Sequence, residues 1–71
     1  MTYRTEGQFT EICENMINGN WTDAGKGCAE YGFYANDLHK AQDQAEADGT
    51  AIITDYWDFV ELIEIANKYR V

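Results

Sequence analysis

The chain has no proline, one histidine, two cysteines and five basic residues among its 71 positions. Each shortage excludes something. Without proline, nothing forces a break or kink in a helix. His39 has no second histidine or suitably spaced cysteine for company, so neither a zinc site nor a nucleophile–base pair can be assembled around it. It reads as a solvated surface histidine. Cys13 and Cys28 fit no metal spacing and fall on apolar helical positions, which points to buried reduced thiols in preference to a disulfide. Five bases against thirteen acids leave a net charge of −8, the wrong sign for direct binding of DNA or RNA. No apolar run reaches the roughly 18 residues of a membrane span. The start, Met1-Thr2-Tyr3-Arg4-Thr5-Glu6-Gly7, has no apolar secretory core, so the expected location is the cytoplasm. Without secretion, the sequon Asn20-Trp21-Thr22 carries no meaning.

What is present is enough for a folded domain. The hydrophobic fraction is 45%, with two Trp, five Tyr and three Phe, which argues for a core and against disorder. Residues 1–71 form one domain, too short to be stable without close packing or association.

Phe9, Ile12, Cys13, Met16 and Ile17 recur at i, i+3, i+4, i+7 and i+8 and predict a first helix. Thr5 and Gln8 fit a capping box, and Glu11, Glu14, Asn15 and Asn18 fall on the outer side. Asn18-Gly19-Asn20 stops this helix. A second is expected from Trp21 to Tyr31, capped by Asn20 or Thr22, with Trp21, Ala24, Cys28 and Tyr31 inward. Its Gly25, Gly27 and Ala29 weaken it as a helix but let a neighbour approach closely, and Gly32 ends it. A third is expected over Asp37–Ala47 with Asn36 as cap. Its thin stripe of Leu38, Ala41 and Ala45 places it at the surface, and Asp48-Gly49-Thr50 stops it. Ala51-Ile52-Ile53 reads as an extended connection that packs under the helices. The last helix follows Thr54 as N-cap, with Asp55 and Asp58 at its positive end and Lys68 and Arg70 at its negative end. Tyr56, Val60, Ile63 and Asn67 form its expected inner row, widened by Phe59 and Ala66. Trp57, Leu62 and Ile65 fall off that row, so this helix is apolar over more than one face. The fold class is all-α, a compact bundle of four short helices.

Chemistry is sparse. Lys26 lies in Ala24-Gly25-Lys26-Gly27, which lacks the strand and spacing of a phosphate-binding loop. The segment Gln44–Asp55 approaches calcium-loop spacing, but it begins on Gln44 and ends on Asp55 where a bidentate glutamate is needed. A helix stop followed by a connector explains the same residues. The carboxylate pairs Glu11/Glu14 and Asp58/Glu61 sit on solvent-facing positions, where nothing raises a pKa for acid–base work. No catalytic residue, metal or cofactor is expected.

Two surface features remain. Asp55, Asp58, Glu61 and Glu64 recur every third residue along the last helix, about 4.5 Å apart in rise. Glu11 and Glu14 on the first helix, and Asp43, Glu46 and Asp48 on the third, add further acids. If the rows of the first and last helices share a side, they resemble the phosphates of a nucleic acid in spacing. The second feature is aromatic: Tyr31, Phe33 and Tyr34 straddle a turn where not every ring can be buried, and Trp57 lies off the inner row.

The phrases Asn18-Gly19-Asn20-Trp21-Thr22-Asp23-Ala24 and Glu30-Tyr31-Gly32-Phe33-Tyr34-Ala35-Asn36-Asp37-Leu38 give the chain its character. In size, charge and style it resembles small acidic accessory proteins of phages and mobile elements. Some of these are anti-CRISPR or antirestriction inhibitors that imitate DNA. The resemblance implies a non-enzymatic inhibitor in a host cytoplasm that occupies the basic, nucleic-acid-binding surface of a defence or nucleic-acid-processing protein. The competing expectation is a helical interaction module or small homodimer. It would use the apolar face of the last helix and the Tyr31–Tyr34 turn, with the acids serving solubility.

Overall fold

Phe9, Ile12, Cys13 and Met16 are the buried side of α1 (Glu6–Ile17), as their spacing requires. The computed structural model describes residues 6–50, 52 and 55–70. Three further helices follow, α2 (Trp21–Tyr31), α3 (Ala35–Ala47) and α4 (Tyr56–Tyr69), and the described residues contain no strand. The all-α reading holds, and all four helices share one core.

Local chemistry ends each helix where the sequence marks it. At the end of α1 the Gly19 N–H bonds to the Met16 carbonyl (3.1 Å) and the Asn20 N–H to that of Asn15 (2.7 Å). The same double bond closes α3 through Gly49 and Thr50, onto Glu46 (3.2 Å) and Ala45 (2.9 Å). Both glycines hold positive φ, 84° and 74°, a region costly for residues bearing a Cβ. The α2 stop brings the Phe33 N–H onto the Cys28 carbonyl at 2.8 Å.

The starts of the later helices differ from expectation. The cap of α4 is Asp55, one residue beyond the expected Thr54, which lies outside the described residues with Thr5, Ala51 and Ile53. The Asp58 carboxylate accepts the Asp55 N–H at 3.0 Å. Helix α3 starts two residues early, with Tyr34 as cap in place of Asn36, because the Asp37 carboxylate accepts the Tyr34 N–H at 2.9 Å. Asn20 caps α2 in position without a side-chain hydrogen bond.

Helix α2 lies between α1 and α4, which do not pack on one another among the described residues, and α3 touches both more lightly. The α2–α4 seam is built from small residues. A Cβ at residue 25 would fall 2.6 Å from Ile65 Cβ and 3.3 Å from the Ala66 backbone nitrogen. Only glycine permits that approach. Gly27 on the α1 side is looser, its added Cβ falling 3.2 Å from Ile12 Cγ1. The seam fixes the rotation of α4. Phe59, Leu62 and Ala66 point inward, and Ile63 is packed beside them. The expected inner row of Tyr56, Val60, Ile63 and Asn67 is therefore wrong at its ends, since Tyr56 and Asn67 are exposed. With apolar residues on several faces, periodicity alone could not choose the phase. Ile17, expected in the α1 stripe, is exposed at that helix's last residue.

Helix α3 lies at the surface on Leu38, Ala41, Gln42 and Ala45, and Ile52 of the connector packs on the core. His39 is not a solvated surface residue. It is half-buried, with its ring edge-on to Phe59 at 4.9 Å and stacked on Tyr56 at 6.0 Å, so it ties α3 to α4.

Cys13 and Cys28 are free, buried thiols. Burial, with Cys28 nearby, pushes Cys13 up to about 12. Burial pushes Cys28 up to about 11, with the Arg70 charge acting the other way.

Two outcomes follow from this packing. Gly25→Ala is expected to lower stability by about 1–3 kcal/mol despite alanine's better helix propensity, because backbone and a branched side chain must move apart. Gly27→Ala should stay within about 1 kcal/mol of wild type, since only the Ile12 side chain must shift slightly at Cγ1 and no backbone is in the way. Urea midpoints decide it, and a Gly25→Ala protein as stable as wild type contradicts the seam. The thiols carry a pH dependence. Their pKa values are raised in the fold, so the folded chain binds protons that the unfolded chain releases above about pH 9. Their contribution is complete below pH 9 and is lost as pH rises toward 11–12. Urea midpoints taken from pH 7 to 10.5 should fall less in the Cys13→Ala/Cys28→Ala double variant than in wild type.

Candidate functional site

The acids expected to act together are placed on different parts of the molecule. On α4, Asp58 is half-buried and holds the helix start, so its carboxylate serves folding before it serves any partner. Asp55 is exposed beside it. Glu61 and Glu64 point outward, in a groove with Trp57, Val60, Ile65, Lys68 and Thr22 of α2. On α1, Glu11 accepts the Tyr31 hydroxyl at 2.9 Å. This bond, together with partial desolvation and the Glu11 and Glu30 charges, raises the Tyr31 pKa. Glu14 is exposed. On α3, Asp43 is exposed and Glu46 accepts the Gln42 amide at 3.4 Å.

The α1 and α4 acids do not form one uninterrupted phosphate-like row. Helix α2 separates them, and a second groove covers its outer side. Glu11 lines that groove with Asp23, Glu30, Lys26 and Arg70, so positive charges stand among the acids. Asp23 and Glu30 were missing from the expected acid set. Only the α1–α2 packing brings them beside Glu11, a distant residue in sequence.

The aromatic expectation is corrected in two places. Phe33 has no exposure at all and packs against Phe9 with ring centroids 6.5 Å apart, so it is a core residue and no contact residue. Tyr31 is half-buried and bonded to Glu11. Tyr34 is 57% exposed, yet the Arg70 guanidinium lies over its ring at 3.9 Å. Arg70 also donates to the Phe33 carbonyl and, at 3.1 Å, to Asn67. Tyr69 has Lys26 over its ring at 5.3 Å. Neither pair was expected, because each joins residues more than thirty positions apart in the chain.

Trp57 differs from these rings. It is 72% exposed and meets Tyr56, itself 61% exposed, edge-on at 5.3 Å. Among the described residues no cation covers it, and the Glu61 and Glu64 carboxylates make no hydrogen bond or ion pair. Residues 57, 61, 64 and 68 follow at i, i+4, i+7 and i+11, so a helix lines them up along one strip. The α4 groove thus joins an exposed indole to two unengaged carboxylates.

Among the described residues no group of three or more His, Cys, Asp or Glu converges as metal ligands would, and no helix is long and apolar enough to cross a membrane. No family model matches the chain, and no curated protein or solved structure matches it either.

Proposed function

We propose that this chain is a non-enzymatic acidic binding protein that docks onto a basic surface of a partner protein through the outer face of α4. One observation carries the reading: exposed Trp57 shares a groove with Glu61 and Glu64 on a chain of net charge −8. An aromatic anchor rimmed by charge is the usual make-up of a contact hot spot. The acid excess steers approach to a positive surface and makes the association sensitive to salt.

Proteins keep surfaces strongly basic chiefly to hold phosphates. Occupying such a surface blocks it, so the consequence of docking is inhibition of a nucleic-acid-binding partner. This joins the two expectations drawn from the sequence. The basic target belongs to the first and the α4 face to the second. The contact is a mixed aromatic and acidic patch on one helix. Two parallel acid rows are disfavoured because α2 stands between α1 and α4. The Tyr31–Tyr34 turn contributes little, since Phe33 is buried and Arg70 covers Tyr34.

Affinity capture from lysate tests this. Wild type should retain a partner at low salt and release it as ionic strength passes about 0.15 M. Glu61→Lys/Glu64→Lys and Trp57→Ser should each lower retention about tenfold or more. Glu11→Lys/Glu14→Lys should lower it severalfold at most. Each variant must keep its helical circular dichroism. Loss caused by the α1 pair alone, with both α4 variants unaffected, contradicts the placement.

A further inference from the structure

The rings at the α2–α4 edge show a pattern that Trp57 leaves incomplete. Tyr34 and Tyr69 are both exposed, and each carries a cation of the same chain, Arg70 at 3.9 Å and Lys26 at 5.3 Å. Tryptophan is the best aromatic acceptor of a cation, and Trp57 is the most exposed of the large hydrophobic side chains described. It has no cation over it among the described residues. Glu61 follows one turn later and Glu64 two turns later, about 6 and 10.5 Å further along the axis. Val60, Ile65 and Thr22 also line the groove, with Asn67 and Lys68 toward the C-terminal end of α4.

Of the two basic side chains, arginine alone can use all of this at once. Its planar guanidinium stacks on an indole while its N–H edge stays free to bond a carboxylate in two-point fashion. Its three-methylene stem lies along apolar lining such as Val60 and Ile65. A lysine ammonium is a compact, strongly hydrated charge that gains less from the ring. A second copy of this chain is a poor occupant, because both copies carry a net charge of −8 and would oppose Glu61 and Glu64 with like charge. Lys68, at the far end of the groove, leaves the Trp57 end the more negative one.

We propose that the α4 groove recognises an arginine-bearing segment of its partner, with one guanidinium stacked on Trp57 and paired with Glu61, and Glu64 receiving a second basic group. This rests on the α4 docking reading above and names the chemistry that the groove selects.

The test uses the full chain and two short fluorescent peptides, one alternating arginine with serine and its twin with lysine for arginine. Binding is read by anisotropy at about 0.15 M ionic strength. The arginine peptide should bind at least about fivefold more tightly than the lysine twin. Trp57→Leu, which keeps apolar bulk and removes the indole, should bring that ratio close to one. Glu61→Gln/Glu64→Gln should weaken both peptides by about tenfold. Equal affinity of wild type for the two peptides, with both lost in the glutamine variant, overturns the arginine inference and leaves the basic-surface reading standing. Peptide binding unchanged in every variant, or a free chain that sediments as a dimer only while Trp57 is present, removes the partner from this groove and overturns both. Because Trp57, Glu61 and Glu64 are all exposed, these variants should retain the fold, and circular dichroism verifies it.

Discussion

The close approach of α2 to α4 at Gly25 governs the rest of this molecule. With no side chain at that position, Ile65 and Ala66 rest against the α2 backbone, and Ala24 and Cys28 of the same helix are buried in the core. That contact fixes which side of α4 is inside. Once Leu62 and Ala66 are buried, the 100° step of a helix carries Trp57, Glu61 and Glu64 to the outer side. The same helix α2 meets α1 on its other edge, so it holds α1 and α4 apart. The proposed docking face is therefore a by-product of a packing constraint: the residue that decides where Trp57 points is a glycine on another helix.

Charge is distributed to match. Only five bases are available, and among the described residues Arg70 and Lys26 are committed within the fold. Arg70 leaves the end of α4 to reach the Phe33 carbonyl and cover Tyr34, which fastens the last helix to the α2–α3 turn. Lys26 covers Tyr69 across the α2–α4 edge. Acids are used locally in a similar way. Asp37 and Asp58 each secure the first turn of a helix, and Glu11 holds the Tyr31 hydroxyl. After these engagements, Glu61 and Glu64 stand beside an open tryptophan, their carboxylates without a hydrogen bond or ion pair among the described residues. Trp57 is exposed next to exposed Tyr56, so the two rings offer one adjoining aromatic surface. Its position among unengaged carboxylates is the reason the docking reading is preferred to solubility alone.

Much of the fold was legible in the chain. Four helices, their approximate limits and their glycine stops follow from local rules, because propensity, capping and the left-handed C′ residue act over a few neighbouring residues. Helix α2 was read to the residue, and the use of its small residues for close approach was legible too. The start of α4 slipped by one residue because Asp55, next to Thr54, is an equally good cap; that of α3 slipped by two because Asp37 accepts the Tyr34 N–H, and capping preferences do not nominate tyrosine. The candidate site was legible only as an inventory. Trp57, Glu61 and Glu64 stood among nine acids and four aromatics, and Phe33 stood beside them although it is buried.

By itself the sequence determined the class of the fold, its helical segments, its acid excess and its reduced thiols. Each of these depends on composition or on residues within about one helical turn of each other. Only the tertiary structure decided the rotation of α4, the burial of Phe33, the packing of His39 and the separation of α1 from α4. A helix apolar on several sides has several phases of nearly equal local energy. The choice among them belongs to the partner helix, through the fit of Ile65 and Ala66 onto Gly25.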